Sequence, residues 1–175
     1  GIMLMVGLFP AMMTAVGVVR EKETGSIANF YSTPVTRFEF LTGKQLPYVV
    51  IALISFLSLI LLAAFLFGVP GKGSFAALGL GAVLYVLSTT GFGLLVSSFT
   101  RTQVAAIFAT AVITIIPSVN FSGLLTPVSA LSPGGQFLGL AFPAAYFQQI
   151  SVGVFTKSLG FLNLWKNHAA LLAFA

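Results

Sequence analysis

The sequence predicts an all-α fold, a bundle of helices that cross a membrane several times. Of its 175 residues, 58% are hydrophobic and only 6% are charged, whereas a soluble domain has roughly 25% charged residues. A water-soluble fold of this size could not cover so apolar a core with a polar surface. The apolar runs are continuous, whereas the strands of a membrane barrel would alternate apolar and polar residues.

The rare residue types exclude several kinds of chemistry. The chain has no Cys, no Asp, three Glu and a single histidine, His168. A metal site, a thiol nucleophile or an acid–base pair would have to be built from almost nothing, so we expect neither an enzyme nor a directly bound cofactor or metal. The eight Lys and Arg, which give a net charge of +5, lie scattered at the ends of apolar runs. That placement is typical of membrane flanks rather than of a nucleic-acid surface.

The positions of the charges predict the membrane spans. About 20 helical residues cross a bilayer core of roughly 30 Å, and charged side chains are costly at its centre. Trp165, Lys166 and His168 look like an interfacial anchor at the start of the last span. Both ends of the chain lie inside apolar runs, so we expect a domain truncated at both ends. The predicted spans are 1–19, 46–69, 75–98, 103–118 and 167–175 onward.

Residues 119–150 are harder to assign, because turn-forming residues crowd together there. In one interpretation 119–150 is a re-entrant pair of short helices on the outer side, since broken backbone in lipid must be buried in protein or line a cavity. In the other, 136–156 is a span. With 20–44 inside, the first places five basic residues inside and three outside, and the second places seven inside and one outside. Charge counting favours the span, and the Pro and Gln content favours re-entry.

Residues 20–45 form the one strongly polar stretch, called here the polar segment. Its charge density places it on the cytoplasmic side. A short helix capped by Ser26 would end before Pro34, and a second short helix from about Thr36 would lead into the next span. Helical spacing would put Ile27, Phe30 and Tyr31 on one face. The segment is either an ordinary solvated loop or a docking element for a cytoplasmic partner.

The order of several short motifs resembles the ABC-2 type permease family, the membrane domains of type V-fold ATP-binding-cassette exporters. The resemblance covers essentially all 175 residues, although Asn29 stands where many members have Glu. The motifs are Arg20-Glu21-x-Glu23-x-Gly25-Ser26, Pro34, Gly43-Lys44, Arg101 to Gln103, Phe121-Ser122-Gly123, Pro127 and Pro143 to Tyr146.

The resemblance implies a function for each region. Residues 1–19 would be the second transmembrane helix, and 20–34 would be the coupling helix, which rests in a cleft of a nucleotide-binding domain. We expect the apolar face of that helix to provide packing, and Arg20, Glu21 and Glu23 to orient it by charge pairing. Gly25 belongs to the same motif. Residues 119–150 would be the outer re-entrant region, with the motif residues Phe121, Gly123, Pro127 and Pro143.

The expected partners follow from the same resemblance. ATP would bind to a nucleotide-binding domain, fused or separate, because Gly43-Lys44-Gln45 and Gly71-Lys72-Gly73 lack the rest of a phosphate-binding loop. A second permease copy, identical or not, would complete the transport path. Small residues such as Gly79, Gly81, Gly91 and Gly93 would serve close packing within the chain or a dimer seam. We expect a multi-pass protein of the bacterial inner membrane that binds no nucleic acid directly.

Two rival functions stay open beside an exporter permease. The sequence of residues 17–47 resembles the permease part of fused proteins called ribosome-associated ATPases. A membrane anchor or interaction module that tethers such an ATPase without moving cargo would share the polar segment. An integral membrane enzyme that acts on lipid is disfavoured, since the apolar spans hold no paired carboxylates and no His/Asp cluster.

Overall fold

The structure is a computed structural model that describes residues 2–66, 68, 73–123 and 125–175, without the side chains of residues 2–5, 27, 30, 31 and 128. The described residues form helices and connecting turns and include no β-strand, which confirms the predicted fold class. The α-helices are α1 Ile2–Glu23, α2 Arg37–Phe65, α3 Phe75–Phe99, α4 Gln103–Thr110, α5 Ile116–Phe121, α6 Pro133–Leu140, α7 Pro143–Thr156 and α8 Phe161–Phe174. Two 3-10 helices, Ser26–Ser32 and Val128–Ala130, and a π-helical turn, Ala111–Ile115, complete the described helical structure.

Several helices in the described part of the chain are suited to a membrane. Arg37–Phe65, Phe75–Phe99 and the continuous stretch Gln103–Phe121 are long and apolar enough to cross one. Helices α6 and α7 together also meet that test, but they are bent by 87° at the break between them. The 22 residues of α1 would extend about 33 Å at 1.5 Å per residue, and the membrane position of 1–19 stays a prediction.

Side-chain caps fix where four of the helices begin. A hydroxyl group just before α2, α3, α4 and α6 accepts a hydrogen bond from the backbone N–H three residues later, which satisfies a donor that has no partner inside the helix. The capping residues are Thr36, Ser74, Thr102 and Ser132. Helix α2 continues through Pro47 without a break, so the separate short helix expected from Thr36 is instead the first turns of α2.

Helix α3 lies at the centre of the bundle. It packs against α1 and α2 on one side and against α7 and α8 on the other, while α1 also contacts α2 and α4. Half of the most apolar stretch of α3 is buried within the chain, against 17% of the corresponding stretch of α2. The exposed face of α2 is apolar, with side chains such as Ile54 and Leu57 uncovered, as expected of a helix that faces lipid.

Three aromatic rings form the core between α2, α3 and α7. Tyr85 and Phe147 are fully buried, and Phe56 is 2% exposed. The ring of Phe56 meets both of the other rings edge-on, at centroid distances of 6.5 Å and 5.4 Å. Such edge-to-face pairs add stabilisation beyond the burial of their area.

The glycines of α3 differ in what surrounds them. A Cβ atom added at Gly93 would lie 2.1 Å from the carbonyl oxygen of Ala11, and one at Gly81 would lie 3.1 Å from the side chain of Ile150. A Cβ atom at Gly79 or Gly91 would meet nothing within 4 Å among the described residues. Gly93 therefore allows α1 and α3 to approach closely, whereas Gly79 and Gly91 leave their surroundings open.

The helix predicted over 103–118 continues to Phe121. Pro117 lacks an N–H group and crowds the carbonyl group four residues earlier, which normally disrupts an α-helix. Here the wider π-helical turn Ala111–Ile115 precedes it, and Pro117 falls in the first turn of α5. The proline is accommodated where no α-helical hydrogen bond from its nitrogen is needed.

The bent pair α6–α7 lies in the region predicted to re-enter or to span. Helix α7 has 14 residues, which extend about 21 Å and are too few to cross a core of about 30 Å alone. Its Ala144, Phe147 and Ile150 are fully buried, so it packs into the bundle. The bend is compatible with a re-entrant pair and with a broken span, and both interpretations of 136–156 stay predictions.

His168, predicted to belong to an interfacial anchor, is buried within the bundle, and its position relative to a membrane stays a prediction. Helix α8 begins at Phe161, ahead of the predicted 167, and turns His168 toward α3, where the side chain is 4% exposed. The ring nitrogen Nε2 lies 2.8 Å from the carbonyl oxygen of Ala77 in α3, and Nδ1 lies 2.8 Å from that of Leu164. Trp165 is 55% exposed, as an interfacial residue would be.

Candidate functional site

The polar segment lies at the end of the bundle where α1 and α3 end and where α2 and α4 begin. Three consecutive charged residues in the last turn of α1 reach across to the three neighbouring helices. Each makes its contact with a different helix. The sequence predicted that Glu21 and Glu23 orient this region, but it did not identify the partners.

Glu21 joins α1 to α2. Its carboxylate accepts a hydrogen bond from the Lys44 ammonium group in an ion pair. The two side chains retain 26% and 36% of their exposure, so solvent screens the pair. A partly exposed pair of this kind contributes on the order of 1 kcal/mol or less to stability. Its value here is geometric, because it fixes the end of α1 against the second turn of α2.

Lys22 joins α1 to α3. Its ammonium group donates a hydrogen bond to the carbonyl oxygen of Ser97, in the last turns of α3. The last carbonyl groups of a helix have no intrahelical donor and carry partial negative charge, so a lysine is a favourable partner there. Lys22 is not among the residues that the sequence predicts for this site. The signal that could have identified it is a basic residue close to the C-terminal end of a neighbouring helix.

Glu23 joins α1 to α4. One carboxylate oxygen accepts the backbone N–H of Gln103 at 3.1 Å, and the other accepts the Gln103 side-chain amide at 2.5 Å. Gln103 is the first residue of α4, where free N–H groups and the helix dipole favour a negative charge. The Arg-Thr-Gln motif at 101–103 thus contains the residue that binds Glu23.

A sharp turn separates α1 from the short helix that follows. Gly25 has φ +73°, a left-handed conformation that glycine adopts without strain. The N–H groups of Thr24 and Gly25 donate to the carbonyl oxygens of Arg20 and Lys22 at 3.0 Å and 3.3 Å, in the manner of a glycine-terminated helix end. Gly25 therefore ends α1 and starts the turn, and its role toward a partner stays a prediction.

The short helix expected after Ser26 is present as the 3-10 helix Ser26–Ser32. It is a tighter helix than the α-helix that the spacing of apolar residues predicts. Ala28 and Asn29 are exposed, and Ser32 donates to the carbonyl oxygen of Asn29 at 2.7 Å. The predicted docking face, made by the side chains of Ile27, Phe30 and Tyr31, lies outside the described residues.

Arg20 faces a groove between α1, α2 and α4 rather than a carboxylate. Its side chain is exposed and makes no ion pair with any residue that the structure describes. The groove has a volume of about 690 Å³, and Tyr48 and Gln103 are among its walls. Gly17 forms part of its floor, where an added Cβ atom would lie 2.3 Å from the Tyr48 hydroxyl.

The start of α2 carries a reciprocal cap. The Thr36 backbone N–H donates to Glu39 at 2.8 Å, and the Glu39 backbone N–H donates to the Thr36 hydroxyl at 3.2 Å. These two bonds hold the pKa of the Glu39 carboxyl below its ordinary value, and the bond from the Thr36 backbone N–H has the larger effect. Glu39 lies ahead of the charge-free stretch that begins at 45, so this cap belongs to the polar end of the helix.

The four residues predicted for the re-entrant region lie at the junction of α5, α6 and α7. The carbonyl oxygen of Phe121 meets Gly139 so closely that an added Cβ atom there would be 2.2 Å away. Gly123 has φ +90° and lies two residues after the end of α5. Pro143 is buried at the start of α7, and Pro127 precedes the 3-10 helix Val128–Ala130. The structure thus brings Phe121 to the α5–α6 contact, and Pro143 is buried as the first residue of α7.

A comparison with protein families identifies the chain. All of residues 1–175 match the family described as "ABC-2 family transporter protein". The chain belongs to the ABC-2 transporter family. It is therefore a membrane protein of that family, and this confirms the resemblance that the motifs of the sequence indicate.

Curated relatives of this ABC-2 chain come from Escherichia coli K12. "Probable multidrug ABC transporter permease YbhS" is 34% identical over 137 residues, which are 78% of this chain and 36% of that protein. "Probable multidrug ABC transporter permease YbhR" is 28% identical over 161 residues, 92% of this chain and 44% of that protein. "Inner membrane transport permease YhhJ" is 26% identical over 163 residues, which are 93% of this chain and 43% of that protein.

The chain spans less than half the length of these curated relatives. Their printed names describe them as permeases, which are components of transporters and not enzymes. No solved structure matches the chain. The activity, cargo and partners of the whole protein are therefore matters for proposal.

Proposed function

We propose that this chain is part of the membrane-spanning permease component of an ATP-binding-cassette exporter, and that residues 20–34 couple it to ATPase domains. The observation that carries the proposal is the set of contacts made by Glu21, Lys22 and Glu23 with α2, α3 and α4. A segment that served only as a loop would not need to be tied to three helices at once. These contacts make the last turn of α1 a junction for the bundle.

The junction supports a mechanical route from a cytoplasmic partner to the membrane. The 3-10 helix begins three residues after the end of α1, so the two elements are separated by a single sharp turn. A displacement of the short helix would reach the last turn of α1 and then the ends of its three neighbours. Helix α1 itself packs against α2, α3 and α4 along its length, so its movement would shift the bundle rather than one span.

The expected partners are a nucleotide-binding domain, fused or separate, and a second permease copy. ATP would bind on the partner domain, with no cofactor bound directly by this chain. The exposed guanidinium group of Arg20 and the groove beside it offer a polar surface at the same end. With the polar segment in the cytoplasm, the protein would lie in the inner membrane, as the name of YhhJ states for that relative.

The cargo that fits best is amphipathic and lipid-like or drug-like. Residues 46–69, 75–98 and 103–118 contain no charged residue, so these predicted spans offer no ion or proton relay. Two of the relatives carry "multidrug" in their names. Small apolar or amphipathic cargo would suit a path built from such helices in two copies.

Reconstitution of the full-length protein with its ATPase in liposomes tests the coupling role. The probe is ethidium, and the measurements are ATP turnover and ATP-driven ethidium transport. Phe30→Ala should leave membrane insertion and basal ATP turnover intact and reduce transport per ATP at least fivefold, because the partner would lose its packing contact. Phe99→Ala is the matched control, since Phe99 is 79% exposed at the same end of the bundle but lies outside the polar segment.

Unchanged transport per ATP in Phe30→Ala would remove the coupling role of the segment. A wild-type protein that keeps the ATPase at the membrane, but whose ATP turnover ignores ethidium and other amphipathic cargo, would favour the alternative function of an anchor without transport. The sidedness is tested separately with Ser32→Cys, because Ser32 is exposed and these 175 residues contain no cysteine; any cysteine elsewhere in the full-length protein is replaced first. A membrane-impermeant maleimide should label it only from the cytoplasmic side.

A further inference from the structure

A cavity of about 620 Å³ with several polar side chains in its walls lies at the end of the bundle opposite the polar segment. It is formed by the chain just after α5, by α7 and by the first half of α8. Its position follows from the start of α3, where the N–H of Gly73 donates to the carbonyl oxygen of Val154 at 2.9 Å. The polar segment contacts the other end of α3, through Ser97.

The chemistry of the cavity differs from that of the rest of this apolar chain. Four amide side chains, two hydroxyl groups and one ammonium group line it, and the described lining residues include no carboxylate. The walls also contain the apolar side chains of Val152, Leu159 and Leu164. The polar lining residues are Ser122, Ser129, Gln148, Gln149, Lys157, Asn163 and Asn167.

Polar atoms without partners converge on this cavity. Ser122 is 2% exposed, and its hydroxyl oxygen has no hydrogen-bond partner among the described residues. The Oε1 atom of Gln148, which also lines the cavity, is buried and equally unpaired within the described part of the chain. Buried polar groups are normally hydrogen-bonded. Two such atoms at one cavity indicate that a polar ligand provides their missing hydrogen-bond partners.

The same pattern continues along α5 and the π-helical turn. The hydroxyl groups of Thr114 and Ser118 are also buried and unpaired among the described residues, and they precede Ser122 at intervals of four. Residues four apart lie on one face of a helix. The unpaired hydroxyl groups therefore form a row that leads from the interior of the bundle to the cavity.

The backbone after α7 fixes the position of the single cation. The N–H groups of Lys157 and Leu159 both donate to the carbonyl oxygen of Gly153, at 3.2 Å and 3.0 Å. Between them, Ser158 has φ +54°, a left-handed conformation that is uncommon for residues other than glycine. This tight end of α7 holds Lys157 at the rim of the cavity, where its side chain remains exposed.

We propose that this cavity binds the phosphate-bearing headgroup of an amphipathic molecule. A phosphate group offers several acceptor oxygens, which suit the lysine ammonium group, the Ser122 hydroxyl group and the Asn167 amide N–H, while a hydroxyl group of the headgroup can donate to the unpaired Oε1 of Gln148. The absence of a carboxylate among the described lining residues removes the main source of repulsion. Val152, Leu159 and Leu164 provide an apolar wall for the part of the ligand that adjoins the headgroup. The site needs neither ATP nor a partner, so it stands apart from the coupling proposed above.

Binding to the full-length protein in detergent tests this site. The probes are short-chain phosphatidylglycerol, the matching diacylglycerol and inorganic phosphate, each titrated by calorimetry. We expect phosphatidylglycerol to bind at least tenfold more tightly than diacylglycerol. Lys157→Gln should lower the affinity for phosphatidylglycerol at least fivefold. Lys166→Gln, which changes an exposed lysine of α8 that does not line the cavity, should change its affinity less than twofold.

Ser122→Ala separates a binding role from a merely structural one. This variant should lower the affinity for phosphatidylglycerol at least threefold. The thermal midpoint of the ligand-free protein should stay equal or rise, because the variant removes an unpaired hydroxyl group. Competition by inorganic phosphate would show that the phosphate group alone is recognised, and lack of competition would show that the lipid-linked headgroup is required. Equal affinity for diacylglycerol, or equal effects of Lys157→Gln and Lys166→Gln, would overturn the proposal.

Discussion

The ring of Phe147 stacks on the ring of Tyr85, with centroids 4.5 Å apart and planes within 3° of each other. This contact joins α7, the second helix of the bent pair, to the centre of α3. Both side chains are fully buried. Whether the bent pair re-enters or spans, this pair of rings is one of the buried contacts that hold α7 in the bundle.

Removing the Phe147 ring should therefore release α7 from the bundle. Phe147→Ala is expected to lower the free energy of unfolding by about 3 kcal/mol, because a large buried ring leaves a cavity that the neighbouring residues fill only partly. Denaturant unfolding of the protein in detergent measures it. Phe137→Ala is the control, since Phe137 is 76% exposed on α6, and a loss of similar size there would contradict the assignment of the core.

The contact between α1 and α3 at Gly93 should not tolerate a methyl group. Gly93→Ala would place a Cβ atom 2.1 Å from the carbonyl oxygen of Ala11, and we expect a loss of about 2 kcal/mol in the free energy of unfolding, as for other overpacked sites. Gly91→Ala, two residues away in the same helix, meets open space. It should be neutral or slightly stabilising in the same assay, since alanine favours a helix.

The buried imidazole of His168 should stabilise the contact between α8 and α3. His168→Leu introduces an apolar side chain of similar size and removes the two ring nitrogens that lie 2.8 Å from the carbonyl oxygens of Leu164 and Ala77. The expected loss is about 1 kcal/mol, measured as a lower thermal midpoint in detergent. Trp165→Leu on the exposed face of α8 should leave that midpoint unchanged. A midpoint for His168→Leu equal to wild type would contradict a stabilising polar contact of the His168 ring.

The cap at the start of α2 should respond to pH. Because the folded-state pKa of Glu39 is lowered by its bonds with Thr36, the carboxylate stabilises the cap above the unfolded pKa, and this stabilisation is lost as the pH falls through the folded pKa. Amide hydrogen exchange in the first turn of α2, corrected for the intrinsic rate, should then become faster in acid. Thr36→Ala should remove most of this pH dependence. If the exchange rates of the variant depend on pH as those of the wild type do, the proposed effect of the cap is contradicted.

The sequence predicted the fold through its charges and apolar runs. Helix α3 begins at Phe75 and ends at Phe99, close to the predicted 75–98, because a uniformly apolar stretch between polar turns leaves little choice. The helix expected from about Thr36 does begin there, at the capping box of Thr36 and Glu39, and it continues through Pro47 into the span as one helix. The local sequence pattern does not reveal that the helix starting near Thr36 and the span predicted from 46 form one continuous helix.

The contacts between helices were beyond the sequence. Glu21 and Glu23 were identified as functional residues, but their partners Lys44 and Gln103 lie 23 and 80 residues away. The burial of His168 depends on how α8 rotates against α3, which the spacing on α8 alone does not determine. The unpaired hydroxyl row that leads to Ser122 becomes visible only once the surrounding helices exclude other partners.

The central claim is that the last turn of α1 transmits the motion of an ATPase domain to the bundle. Charge exchange across the ion pair of Glu21 and Lys44 tests it most directly, with ATP-driven ethidium transport per ATP hydrolysed as the measurement. Glu21→Lys and Lys44→Glu should each lower this ratio at least fivefold, and the double variant should recover at least half of it. Single variants that transport like wild type, or a double variant no better than either, would contradict the claim.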